Sequence, residues 1–186
     1  MGKSYPLFIG GSRFISVLDD VVKNMIQRSL IMQRPILVGE ASGVDRAVQQ
    51  YLHEQHYSHV TVFCSGHRPR CNVHGWPVHA LQSHVPESQG FRFYRLKDQE
   101  MARQAYCGLM IWDGKTVGTL LNIMRLVKQE KACLVYHQKK WVQLKNSDHW
   151  QSWSSCIRPE LLNELRIKAE DWEWISYYSK SQPKLA

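Results

Sequence analysis

Three times this chain runs through a short apolar segment, breaks at a glycine-bearing polar loop and restarts with apolar residues at helical spacing. Leu7-Phe-Ile9 ends in Gly10-Gly11-Ser12-Arg13, and an amphipathic pattern follows over 17–31. Pro35-Ile-Leu-Val38 ends in Gly39-Glu-Ala-Ser-Gly-Val-Asp45, and a helical pattern continues through Ala47, Val48, Tyr51 and Leu52. Leu109 to Trp112 ends in Asp113-Gly-Lys-Thr-Val-Gly-Thr119, followed by a helix over 117–130. Uninterrupted apolar runs of this length suit strands buried on both faces of a parallel sheet. Repeated strand–loop–helix units therefore predict an α/β fold, a parallel sheet with helices on both faces and right-handed crossovers. Ser16 is the expected cap of the first helix, with Asp19 and Asp20 in its first turn.

A loop between the C-terminal end of a strand and the N-terminus of a helix offers free backbone N–H groups and the positive end of the helix dipole. The Asp113–Thr119 stretch adds Lys115, Thr116 and Thr119 as donors, with Gly114 and Gly118 admitting an anion to the backbone. Gly10, Gly11, Ser12 and Arg13 read as a second phosphate cradle. In the middle loop Glu40 is the carboxylate expected to face a pocket, and Asp45 is a candidate for ribose hydroxyls or for orienting Arg46.

Between these units lies a fourth apolar run, Val60 to Cys64, then a long loop from Ser65 to about Gln89 carrying Arg68, Arg70, Asn72, Trp76 and several histidines. Cys64, His67, Cys71 and His74 have metal-like spacings, but structural zinc sites use two well-separated knuckles, so no metal is expected. Phe91-Arg-Phe-Tyr94 alternates as an edge strand would, and 97–106 reads as a short helix capped near Asp98. Ala132 to Tyr136 is a further buried strand. From His137 the texture changes. Five of the seven tryptophans (Trp141, Trp150, Trp153, Trp172 and Trp174) lie there, with a helix expected over 161–175 and Pro159 in its first turn. The expected organisation is a sheet domain over 1–136 and a Trp-rich C-terminal helical extension over 137–186, docked on it or used for self-association as a homo-oligomer. Ser179 to Ala186 is expected to fray.

A net charge of +8 favours phosphate-bearing partners without naming a site. No apolar run is long enough for a membrane span, and the N-terminus enters a strand too soon for a signal peptide. Gly2 starts a myristoylation-like string, but Pro6 stands where it needs Ser or Thr. Five cysteines without a framework suggest reduced thiols and a cytoplasmic setting.

The three glycine loops, together with Lys97-Asp98 and Met101-Ala102, resemble the SMF/DprA–LOG (SLOG) superfamily, most closely its YspA-like branch. The resemblance covers roughly residues 5 to 136. It implies a Rossmann-like fold that binds a nucleotide or nucleotide-derived ligand, a nucleotide sugar or ADP-ribose-like molecule, at the C-terminal ends of the strands. Phosphates would lie on Gly10–Arg13 and Thr116–Thr119, neutralised by Arg13 and Lys115. Gly39, Glu40, Ser42, Gly43, Asp45, Lys97, Asp98 and Asp113 complete the expected site, with Trp76 or Trp112 available to stack on a base. LOG relatives hydrolyse an N-glycosidic bond through P-G-G-x-G-T-x-x-E. Here Gly114, Lys115 and Thr116 align with P-G-G, and Asn122 stands where the glutamate would be. An amide cannot serve as a base or stabilise an oxocarbenium charge, so a hydrolase of this chain would draw its carboxylate from Glu40, Asp98 or Asp113. DprA relatives bind single-stranded DNA, which makes single-stranded nucleic acid the alternative partner.

Overall fold

The computed structural model describes residues 5–170, 173 and 174. The elements run β1 (Leu7–Gly11), α1 (Asp20–Ile31), β2 (Ile36–Val38), α2 (Val44–Glu54), β3 (Val60–Ser65), β4 (Val78–Leu81), a 3-10 turn (Glu87–Gln89) and α3 (Phe91–Gln104). They continue with β5 (Cys107–Ile111), α4 (Val117–Lys128), β6 (Cys133–His137), β7 (Lys140–Leu144), α5 (Ser147–Ser154) and α6 (Pro159–Lys168). One sheet holds all seven strands in the order β4-β3-β2-β1-β5-β6-β7. Every neighbouring pair is parallel except β6 and β7. The fold is therefore the expected Rossmann-like α/β architecture.

Alternation along the strands divides the core. Leu7, Ile9, Ile36, Val38, Val60, Val62, Leu109 and Ile111 pack with α1 and α2. Phe8, Leu37, Phe63, Met110, Cys133 and Val135 pack with α3, α4 and the C-terminal helices. Period-two side-chain direction produces this split. The central helix α4 is buried along ten of its twelve residues. A helix apolar on nearly every side has to be covered on more than its sheet face. Here α3, α5 and α6 supply the rest of the cover. Each fully buried Leu, Ile or Met on it contributes roughly 1.5–3 kcal/mol.

Several boundaries differ from the sequence reading. Phe91 to Tyr94 is not an edge strand but the first turn of α3. Four alternating residues were too few to reveal that Phe93, Lys97 and Met101 fall on one buried face at i, i+4 and i+8. Asp98 consequently lies inside a helix rather than capping one. Helix α1 starts later than expected, with Asp19 at the N-cap position and no side-chain cap bond, so Ser16 does not cap it. The long loop after β3 contains the short edge strand β4, which pairs Val62–Ser65 with Val78–Leu81. Strand β7 was hidden because its hairpin turn is Gln138-Lys139, both at positive φ, with neither the glycine nor the asparagine that normally marks such a turn.

The sheet thus continues past His137, and the tryptophans pack onto it. Trp150 is buried, with Trp153 and Trp174 partly buried against the same cluster, while Trp141 lies on Tyr136 in the other. Pro159 opens α6 as expected, and that helix ends at Lys168. Gly2, Trp172, Ile175 and Ser179–Ala186 lie outside the described residues. The C-terminal segment is tied to the core by a buried ion pair, Arg125 Nε donating to Glu173 Oε1 at 2.6 Å. Glu173 also accepts from Gln99 at 2.9 Å and from the Glu170 amide at 2.9 Å. Burial pushes its pKa up, but Arg125 and these donors outweigh that and hold it below the ordinary value.

Removing one partner of a buried pair strands the other charge in the core. Glu173→Ala is expected to destabilise the protein by about 3–5 kcal/mol in urea unfolding. An unchanged midpoint would mean that this segment is not packed on α4.

Candidate functional site

In an open α/β sheet, ligands bind beyond the carboxyl ends of the strands where the strand order reverses. That point here lies between β1 and β5, because the chain steps from β1 to β2 on one side and returns through β5 on the other. A cleft of about 470 Å³ opens there. Gly10, Gly11 and Arg13 of the first loop line it, with Lys115, Thr116, Gly118 and Thr119 of the third. Asp45 comes from α2 and Lys97 and Asp98 from α3, so residues far apart in sequence meet in one place.

The two loops are held together by a compact polar clasp. Ser12 Oγ donates to Asp113 Oδ2 at 2.7 Å and lies 2.8 Å from Thr116 Oγ1. Thr116 Oγ1 also donates to Asp113 Oδ2 at 2.8 Å. The amides of Lys115 and Thr116 donate to Asp113 Oδ1 at 2.9 and 2.8 Å. Burial raises the Asp113 pKa, but these donors outweigh it and hold the carboxyl below its ordinary value. Ser12, Asp113 and the Lys115 and Thr116 amides are therefore committed to building the loop, not to a phosphate. Ser12 is fully buried. Asp113 and Gly114 border a different cavity, beside His137 and Trp153.

What the clasp leaves free is the first turn of α4. Its first intrahelical bond runs from Leu120 N to Thr116 O, so the amides of Val117, Gly118 and Thr119 precede the helical ladder. A Cβ on Gly118 would meet nothing within 4 Å, so any other residue there would put its side chain into the cleft. Thr119 is buried, and its Oγ1 has no hydrogen-bond partner. A buried hydroxyl without a partner carries a desolvation cost that a ligand acceptor would relieve. One helical turn on, Asn122 also lines the cleft, its Oδ1 accepting from Arg125 Nη1 at 2.8 Å.

The opposite wall is charged. Lys97 Nζ, only 4% exposed as a residue, lies 2.5 Å from Asp98 Oδ1. Burial acts against its charge, but Asp98, Asp45 and Glu40 outweigh that and hold the ammonium above its ordinary range. Asp45 accepts the Ala41 amide at 3.1 Å. Burial pushes its carboxyl up to about 6, against the pull of Lys97. Across the cleft Arg13, Arg70, Lys97, Lys115 and Lys168 face Asp45, Asp98 and Glu164, leaving an excess of cations.

Other expected residues lie elsewhere. Gly39 sits behind Asp45 and Lys97, where a Cβ would come within 2.3 Å of Asp45 Oδ2. Gly43 has φ +75, and a Cβ there would strike the Arg13 backbone at 2.3 Å, so it serves the close approach of the first two loops. Ser42 is exposed at the turn and does not line the cleft. Glu40 borders a neighbouring chamber. Trp76 is buried and donates from its indole to Tyr57 O, so it cannot stack on a ligand. Trp112 is likewise buried, its indole bonded to Thr116 O. The aromatics that do line the cleft are Phe8, at its buried floor, and Phe14, Phe91 and Tyr94, with Phe14 69% exposed under the Arg13 guanidinium. Phe14 was detectable as an aromatic next to a phosphate-type loop. Tyr94, Arg70 and the α6 residues Glu164 and Lys168 reach the cleft only through tertiary packing. No cluster of three or more potential metal-ligating side chains occurs among the described residues.

The Asp45 environment yields a pH-dependent expectation. Its folded pKa of about 6 exceeds the ordinary 3.8, so the folded state holds the proton more tightly. That contribution is present below about pH 4 and is lost as pH rises through 6. Asp45→Asn should therefore raise the stability at pH 8 by on the order of 2 kcal/mol, with the gain vanishing near pH 4. Thermal melts of both proteins across this range check it, and a gain independent of pH would contradict it.

Comparisons of the chain with protein-family models, with curated proteins and with solved structures find no match.

Proposed function

We propose that the cleft binds a nucleotide or nucleotide-derived ligand, with a phosphate on the first turn of α4. The observation that carries this reading is the pairing of α4's unbonded first-turn amides with the buried, unpartnered Thr119 hydroxyl at the switch point of the sheet. Four donors converge there, beside an open Gly118 and an excess of cations. Anions bind helix N-termini through just these amides and the dipole. Arg13 and Lys115 neutralise the phosphate, Phe14 offers a face to the base, and Asp45 and Asp98 accept from ribose hydroxyls.

A second reading rests on the same two carboxyls. A carboxyl whose pKa burial raises to about 6 inside a cleft is suited to donate a proton to a leaving group, and Asp98, ion-paired with Lys97, is the second carboxyl beside it. N-glycosidic hydrolysis of the bound nucleotide follows from that reading. Asp45 then takes the acid role, since Asp113 is committed to the clasp and Asn122 is an amide.

Thermal-shift titration with AMP, ADP and NAD tests the binding that both readings require, and an assay for free base separates the two. Binding raises the melting temperature, because the ligand engages only the folded state. Arg13→Ala, which removes the guanidinium lying over the Phe14 ring at the cleft, is expected to weaken binding by roughly tenfold or more. Thr119→Val should weaken it similarly while leaving the free protein at least as stable, because the lost hydroxyl had no partner. Release of free base, abolished by Asp45→Asn, marks the hydrolase. No shift with any nucleotide sinks both readings.

A further inference from the structure

Beyond the clasp, the loop from Asp113 to Lys115 borders another cavity, of about 430 Å³. That volume falls within the roughly 300–1,000 Å³ of small-molecule sites. The cavity forms where the start of α6 meets the ends of β5 and β6, so the C-terminal extension supplies one wall. Its floor is apolar, with Trp112, Ile157 and Leu161 buried there. Trp153 is half-buried beside them, its ring 5.5 Å from that of Trp112. His137, donating from Nδ1 to Trp112 O at 3.1 Å, adds a third ring. Two cations stand on the same wall, Lys115 and Arg158, both exposed. Neither side chain has a protein partner among the described residues. The acid lining the cavity, Asp113, has both oxygens taken by the clasp.

We propose that this cavity binds an aromatic carboxylate, its ring among Trp153, Ile157 and Leu161 and its carboxylate on Arg158. The lining selects that class. An apolar floor edged by indole rings takes a planar apolar body, because such rings gain both buried area and ring–ring contact. Two unpaired cations beside a spent acid take an anion, and a guanidinium fork matches a carboxylate oxygen for oxygen. A phosphate fits less well. Helix α6 opens onto the cavity with Pro159, which has no N–H, and the Leu161 and Leu162 amides already bond Arg158 O at 3.1 and 3.2 Å. The start of α6 therefore lacks the cradle of free amides that α4 presents to the cleft. The inference does not use the nucleotide reading of the cleft.

Isothermal titration of the full chain with 2-naphthoate tests this. Naphthalene-2-carboxamide keeps the ring without the charge, and acetate keeps the charge without the ring. The expected result is that naphthoate binds at least roughly tenfold tighter than either. Arg158→Gln removes a guanidinium that no described protein group holds, so it should leave the melting temperature unchanged and weaken naphthoate by roughly tenfold. Cys156 is exposed on the cavity wall, so bound naphthoate should slow its alkylation by iodoacetamide, read by peptide mass spectrometry. Cys107, at the opposite end of β5, serves as the unaffected reference. Absence of naphthoate binding, equal affinities for the acid and the amide, or unchanged affinity in Arg158→Gln would overturn the proposal. Binding that leaves Cys156 alkylation unaltered would overturn it as well. None of these outcomes bears on the cleft, because no nucleotide enters the assay.

Discussion

Asp113 holds the two halves of the switch point together. Its carboxylate takes donors from the end of β1 through Ser12 and from its own loop through Lys115 and Thr116. The same Ser12 anchors the neighbouring loops by its backbone, accepting the Val44 amide at 3.0 Å and donating to Ile111 O at 2.9 Å. One partly buried carboxylate and one buried hydroxyl therefore fix the relative positions of three loops that parallel strands alone would leave loosely related. The orientation of α4's first turn follows from this. With Thr116 pinned at the N-cap position, the amides of Val117, Gly118 and Thr119 point from a rigid base. A phosphate site made of backbone needs such preorganisation, because its donors have no side-chain freedom with which to adapt.

Around that rigid base the protein tolerates features that do not serve stability. Thr119 Oγ1 and Glu40 Oε1 are buried without partners, and Asp45 is held against its ordinary ionisation. Each is unfavourable in isolation, and all three line the cleft or its neighbouring chamber. Groups shifted by burial and aimed into a concavity are the ordinary mark of a functional site. Buried atoms without partners also occur away from the cleft, at Arg95 Nε, Arg125 Nη2 and Trp150 Nε1, so it is their position in the concavity that sets Thr119 and Glu40 apart.

Much of the sheet was legible because its strands are buried on both faces and read as plain apolar runs. The three glycine loops were legible for the same reason, as abrupt ends to those runs. Three features were not. Helix α3 begins in a stretch whose alternation imitates a strand over four residues, and only its longer periodicity corrects that. Strand β7 turns on Gln138-Lys139, which carries no turn signature. The division of labour within the loops was also invisible. Sequence marked Ser12, Arg13, Asp113 and Thr116 alike as ligand-binding residues, whereas Ser12, Asp113 and the Thr116 hydroxyl are spent in the clasp and Arg13 faces the cleft. Hydrogen-bond accounting in three dimensions decides that. Trp76 illustrates a related limit, since an indole in a polar loop looks like a stacking group until its N–H is found bonded to Tyr57 O.

The central claim is that the first turn of α4 is the phosphate-binding element. Backbone amide NMR during titration with ADP tests it most directly. The account predicts that the largest shifts fall on Val117, Gly118 and Thr119, with Lys115 and Thr116 moving less because their amides already bond Asp113. Shifts centred elsewhere, or no shifts at millimolar ADP, would contradict it.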